Sequence, residues 1–272
     1  MFVQKRNRNM FEAAGSTLGL IYTVAVFNLR KTNKNPLVGL LLEAARAVIM
    51  VVAFMLMFVV LGIRSSPVRG DFLLFVMSGI FMFQAHTSAI GAVAGAGSGA
   101  SGIMKHGPMN TAVVISAGAL ASLYRTLFAC FVILGGYSLF KPLYFEHPVA
   151  SLGMLILAWA NGCAIGLVLL ALRPWMPEVV KILTLMIQRV QMIASGKMFL
   201  ANALPASILV WFDWNPLFHI IDQTRGFVFL NYTPHHSSVM YPVYVTLALV
   251  MVGLMGEFVS RQNESASWSA AR

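Results

Sequence analysis

Apolar runs of membrane-spanning length alternate with short breaks along almost the whole chain. They occupy residues 37–63, 72–95, 114–139, 149–172, 179–200 and 243–259. At about 1.5 Å per helical residue, such runs cross a hydrocarbon layer of about 30 Å. They predict an all-α membrane protein with six transmembrane helices. Residues 13–35 differ. Leu18, Ile21, Val24 and Phe27 make an apolar stripe that ends in the basic cluster Arg30, Lys31 and Lys34. That pattern predicts an amphipathic helix lying in the membrane interface, its cations near anionic headgroups. Residues 201–236 are neither fully apolar nor fully polar. Pro205 and Pro216 interrupt any helix there, because proline lacks the N–H and clashes with the preceding turn. Trp211, Phe212, Trp214, Phe218, Phe227 and Phe229 surround these breaks. Short re-entrant helices at an interface fit that mixture, because irregular backbone at membrane depth must be covered by protein or line a watery cavity.

The resulting division is a cytoplasmic tail and interface helix over 1–36, a six-helix membrane domain over 37–260 containing the re-entrant segment 201–236, and a polar tail over 261–272 expected to be disordered. Residues 1–15 are polar and basic and read as a retained N-terminus, not as a cleavable signal. Of the 272 residues, 58% are hydrophobic and 10% charged, against roughly 25% charged in soluble domains. The net charge of +10 does not indicate nucleic acid. Six basic residues (Lys5, Arg6, Arg8, Arg30, Lys31, Lys34) precede the first run, against one acid, Glu12. This is the positive-inside bias, and with six spans it puts both termini in the cytoplasm.

Polar groups inside the runs are the first candidates for a path. Glu43 and Arg46 lie three apart, on one helix face. Either they pair inside protein or water, or they sit at the cytoplasmic end and snorkel. Gln84, His86 and Thr87 interrupt the second run; Arg125 lies in the third, and Asn161 and Gly162 in the fourth. Gln188, Arg189 and Gln191 interrupt the fifth. Gly97, Gly99 and Gly102 spell a dinucleotide-type glycine motif without the required strand–helix setting. Gly91, Gly95 and Gly99 read better as close helix packing. Asp222 and Arg225, three apart after Pro216, are expected to form a same-face pair, and Asn215 before Pro216 is a good helix cap.

Several chemistries are absent from the sequence. It has no phosphate-loop lysine motif, no His-Glu-x-x-His and no Gly-x-Ser-x-Gly. Cys130 and Cys163 sit in apolar runs and read as packing residues. His235-His236 reads as a solvated loop pair. No catalytic residue, metal site or cofactor is expected in the chain.

Ser195-Gly196, Ala203-Leu204-Pro205, Asn215-Pro216-Leu217 and Arg225 together resemble a signature of type-2 ABC exporter permeases, in the branch that exports capsular polysaccharide and O-antigen. Asn35-Pro36-Leu37 resembles that family's lead-in to the first membrane helix. The resemblance implies a homodimeric permease in the bacterial inner membrane that moves polysaccharide or lipid-linked glycan, with ATP and Mg bound by a separate ATPase subunit. It also implies that the turn carrying Met104, Lys105, His106 and Pro108 docks on that ATPase. Glu43, Arg46, Trp214, Asn215, Pro216, Asp222 and Arg225 are the candidates for a gate or translocation path. The alternatives are an ABC exporter of a drug or lipid, or a membrane-embedded enzyme acting on lipid-linked sugar. The enzyme would need a deep acid or histidine cluster, which the sequence lacks.

Overall fold

A computed structural model describes residues 10–31, 36–60, 62, 71–96 and 111–270. The turn with Met104, Lys105, His106 and Pro108 lies outside them, as do Lys34, Gly97, Gly99 and Gly102. The described residues form helices α1 (Met10–Lys31), α2 (Pro36–Val60), α3 (Phe72–Ala94), α4 (Thr111–Ser138), α5 (Pro148–Leu172) and α6 (Pro177–Ala194). A 3₁₀ turn at Ala201–Ala203, the short α7 (Ala206–Leu209), α8 (Pro216–Val228) and the long α9 (Met240–Ala270) follow. No strand occurs among the described residues.

Helix α3 is the hub. It packs against α2, α4, α5, α6 and α8, and 78% of its apolar window is buried. A helix that is apolar on every side has to be enclosed. Its closest neighbour is α5, and glycine sets the distance. A Cβ on Gly162 would stand 2.2 Å from the carbonyl oxygen of His86, and one on Gly166 would stand 2.8 Å from the Cβ of Val93. Gly162 and Gly166 are four apart, the spacing that lets helix backbones approach in membranes. Of the expected glycines, Gly91 faces the Gln188 amide of α6. Helix α9 lies on the other side of α5, joined by a 2.8 Å hydrogen bond from Asn161 Nδ2 to Thr246 Oγ1. Helix α1 packs on α4.

Among the described residues, five helices are long and apolar enough to cross a membrane: Leu37–Val60, Phe72–Ala94, Thr111–Ser138, Pro148–Leu172 and Met240–Gln262. The fifth expected span does not reach that standard. Helix α6 stops at Ala194, six residues before the run at 179–200 ends, and it carries Glu178, Lys181, Gln188, Arg189 and Gln191 in 18 residues. The cause is Gly196, whose φ of +68° turns the chain out of the helix. The C-terminus also differs from expectation. Helix α9 continues to Ala270 through the stretch expected to be a disordered tail. That stretch holds no glycine or proline to stop it.

Candidate functional site

The segment from Ser195 to Arg225 folds back on the hub. Pro205 precedes α7 and Pro216 opens α8, so the helix breaks fall where proline predicts them. Asn215 caps α8 by accepting from the Leu217 N–H at 3.1 Å. The rest of its amide is tied to the end of α6. Nδ2 donates to Gln191 Oε1 at 2.6 Å and to the Ala194 carbonyl at 2.8 Å, while Gln191 Nε2 donates to Asn215 Oδ1 at 3.3 Å. His86 Nε2 lies 3.5 Å from the same Gln191 amide. One buried polar cluster thus joins α3, α6 and α8.

Arg225 is 1% exposed. Its Nη1 donates to the carbonyls of Gly196 (3.2 Å) and Phe199 (2.5 Å), and Nη2 donates to that of Lys197 (2.6 Å). The guanidinium carbon lies 4.1 Å from the centre of the Phe75 ring. The loop after α6 is therefore wrapped around a cation held by α8. Gly196 makes this possible twice over: its positive φ turns the loop, and a Cβ there would stand 2.5 Å from the Phe218 ring.

The expected pairing of Asp222 with Arg225 is not formed. Asp222 accepts from Tyr232 Oη at 2.5 Å and from Ser237 Oγ at 2.7 Å. Three carbonyls of the loop satisfy Arg225 instead, so the two charges bind different segments across α8. Burial pushes the Tyr232 phenol well above its ordinary value, and the Asp222 carboxylate it bonds reinforces this. His219 donates from Nε2 to the Asp213 carbonyl and accepts at Nδ1 from the Ser238 N–H. Nε2 also lies 3.3 Å from Asp213 Oδ1.

Trp214 sits apart from this buried set. It is 59% exposed and donates from Nε1 to the Trp211 carbonyl at 2.7 Å. Trp211 beside it is 75% exposed. Glu43 and Arg46 form another group: Arg46 Nη1 lies 3.3 Å from Glu43 Oε2, and Gln84 Nε2 donates to Glu43 Oε1. Arg46 faces outward while Glu43 is largely covered. The expected residues thus fall into three places. Asn215, Pro216, Asp222 and Arg225 are a buried clamp, Trp214 is an exposed rim, and Glu43 and Arg46 lie at the α2–α3 contact.

Sequence reasoning missed Lys197. It is 3% exposed, with its ammonium 3.4 Å from the Phe83 ring centre and 4.7 Å from that of Phe54, and with no hydrogen-bond partner for Nζ among the described residues. The only signal was a lysine inside an apolar stretch next to Ser195-Gly196. Tyr232 and Ser237, the partners of Asp222, carried no signal. No group of three potential metal ligands occurs among the described residues.

These features define a helical, multi-pass membrane protein whose described polar groups brace helices against one another. No family model matches the chain. Two curated relatives do, each the polysialic acid transport protein KpsM of Escherichia coli. One is 26% identical and the other 25%, both over 188 residues that span 68% of this chain and 71% of the relative. The chain is therefore similar to the type-2 ABC exporter permeases of the polysaccharide branch, as residues 195–225 indicated.

Proposed function

We propose that the chain is the membrane permease of an ATP-driven ABC exporter that moves polysaccharide or a lipid-linked glycan across the bacterial inner membrane. The observation that carries this reading is the similarity to a polysialic acid transport protein over 71% of that protein's length. The chain supplies the path, and a separate ATPase subunit binds ATP and Mg. Met104, Lys105, His106 and Pro108 make the contact with that subunit, and both termini are cytoplasmic.

A homodimer supports the path. Only Val180 and Gln191 of α6 are buried, and 28% of the α2 window is buried. At 18 residues α6 is about 27 Å long, close to a hydrocarbon thickness. Its charges are Glu178, Lys181 and Arg189; Lys181 pairs with Glu178 at 2.8 Å, but Arg189 against lipid is costly. A second copy and a hydrated path relieve that cost. Residues 201–236 form the re-entrant outer rim, with Trp211 and Trp214 offered to sugar faces. Rings suit such contacts because they cover sugar C–H groups while hydroxyls remain wet.

The test is reconstitution of the chain with and without its ATPase in sealed vesicles. Glycan translocation that needs the ATPase, ATP and this chain together supports the reading. ATP hydrolysis by the purified chain alone, or glycan modification without transport, overturns it.

A further inference from the structure

Two apolar clefts open on either side of the α3–α4 contact, at the end of the bundle where α3 starts and α4 stops. One has a cavity of about 300 Å³ among α3, α4, α5 and α8, lined by Leu74, Phe81, Cys130, Leu134, Leu152 and Leu155. The other has a cavity of about 530 Å³ among α2, α3 and α4, lined by Val48, Val52, Met55, Met77, Ile133 and Gly136. A third depression, mostly apolar but edged by Asp71, Lys141 and Glu146, links them. It shares Leu74 and Val228 with the first cleft, and Asp71, Tyr137 and Lys141 with the second.

The charges in that depression are not all spent. Asp71 is saturated: Oδ1 caps α3 through the Leu73 N–H, while Oδ2 accepts from Tyr137 Oη at 2.6 Å and Lys141 Nζ at 2.7 Å. The Lys141 side chain is 62% exposed, and an ammonium has three donors. One is spent on Asp71, and the exposed side chain leaves the others open to a ligand. Glu146 lines the same depression and forms no ion pair among the described residues. An ammonium only partly engaged by Asp71 and a carboxylate with no ion pair among the described residues therefore line one depression between two greasy clefts. A phosphate next to an ammonium complements them, and two acyl chains complement the clefts.

We propose that this end of the bundle binds one diacyl phospholipid with a primary-ammonium headgroup, a chain in each cleft, the phosphate on Lys141 and the ammonium on Glu146. Arg225 and Asp222 line neither cleft, although Thr224 of the same helix borders the smaller one, and the proposal stands whether or not the exported cargo is a glycan. It ties α2, α4 and α5 to α3 through a lipid at the place where protein packing leaves them apart.

Native mass spectrometry of the full chain in detergent, titrated with dioleoyl phosphatidylethanolamine or dioleoyl phosphatidylglycerol, tests it. The expected result is one tightly retained phosphatidylethanolamine, held at least tenfold more strongly than phosphatidylglycerol. Gly136→Leu fills the larger cleft, where a Cβ meets open space, and Leu152→Trp fills the smaller. Each should weaken retention tenfold or more without changing the melting temperature in detergent alone. Glu146→Gln should abolish the preference for phosphatidylethanolamine. Equal retention of the two lipids by the unaltered chain, unchanged retention in both filled variants, or occupancy by detergent only would overturn the proposal. So would loss of dimer in Gly136→Leu with an unchanged lipid count, which would put a second copy in the larger cleft.

Discussion

Gln191 and Asn215, 24 positions apart, exchange hydrogen bonds through both amides, Nδ2 to Oε1 at 2.6 Å and Nε2 to Oδ1 at 3.3 Å. Asn215 caps α8 with the same oxygen. The pair locks the start of α8 to the end of α6. Asn215→Ala removes a cap, about 1 kcal/mol, and strands a buried amide, about 1–3 kcal/mol. Gln191→Ala strands the other half. The double variant should cost clearly less than the two singles added, because each single already breaks the same pair. Unfolding in detergent measures this; strict additivity would show that the two amides act independently.

Arg225 and Trp214 separate a structural role from a path role. Arg225→Ala leaves the buried carbonyls of Gly196, Lys197 and Phe199 without their donor, at about 1–3 kcal/mol each. It should therefore fail in folding or in steady-state level before transport can be read. Arg225→Lys should recover only part of this, since one ammonium cannot reproduce the planar fork. Trp214 is exposed, so Trp214→Ala should insert and accumulate normally while changing export in the vesicle assay. Normal export in that variant would remove the rim from the path.

How far the sequence could be read depended on which physics each residue obeyed. Pro205, Pro216 and the Asn215 cap were legible because each acts through its own backbone. The limits of α3 and α5 were legible because hydrophobic runs end at polar or proline positions. The partner of Arg225 was not. Helical spacing offered Asp222, but three loop carbonyls lie closer, and only the positive φ of Gly196 brings them there. The early end of α6 has the same origin. Lys197 was invisible because its rings, Phe54 and Phe83, come from two other helices.

Gly162 sets the α3–α5 distance. With a Cβ 2.2 Å from the His86 carbonyl oxygen, Gly162→Ala must push the two helices apart, disturbing Asn161 and its bond to Thr246 as well. The expected loss is about 3 kcal/mol or more, since overpacking a tight core costs typically about 1–3 kcal/mol and the clash here is with rigid backbone. Gly153→Ala on the same helix meets nothing within 4 Å and should leave the melting temperature unchanged or slightly raised. Equal tolerance of both substitutions would show that α3 and α5 are not in this contact.

Lys197 is buried with only aromatic faces for its ammonium. A cation over two rings recovers part of its desolvation, on the order of 1–2 kcal/mol for a desolvated pair. Lys197→Met keeps the stem and removes the charge, so it should fold as well as the original chain or better. Lys197→Glu reverses the charge against the negative ring faces and should not accumulate. If Lys197→Met folds yet fails in the vesicle assay, the charge serves transport; if it fails to fold, the ring contacts hold the loop.

Asp71 gives the bundle a pH dependence of known sign. Burial raises its pKa, but hydrogen bonds from Lys141, Tyr137 and the Leu73 N–H outweigh that and leave it below its ordinary value. A carboxyl with a depressed pKa in the folded state contributes stability above its unfolded value, about 3.9, and loses that contribution as pH falls through the folded value. Its side chain is 22% exposed and that of Lys141 62%, so solvent screens the pair. Asp71→Asn keeps an oxygen for the cap and removes the charge. The melting temperature of the original chain should exceed that of Asp71→Asn at pH 6, and the gap should begin to narrow below about pH 4 and vanish once the pH is below the folded value. A gap constant across this range would show that the cap alone, and not the charge, stabilises this end of α3.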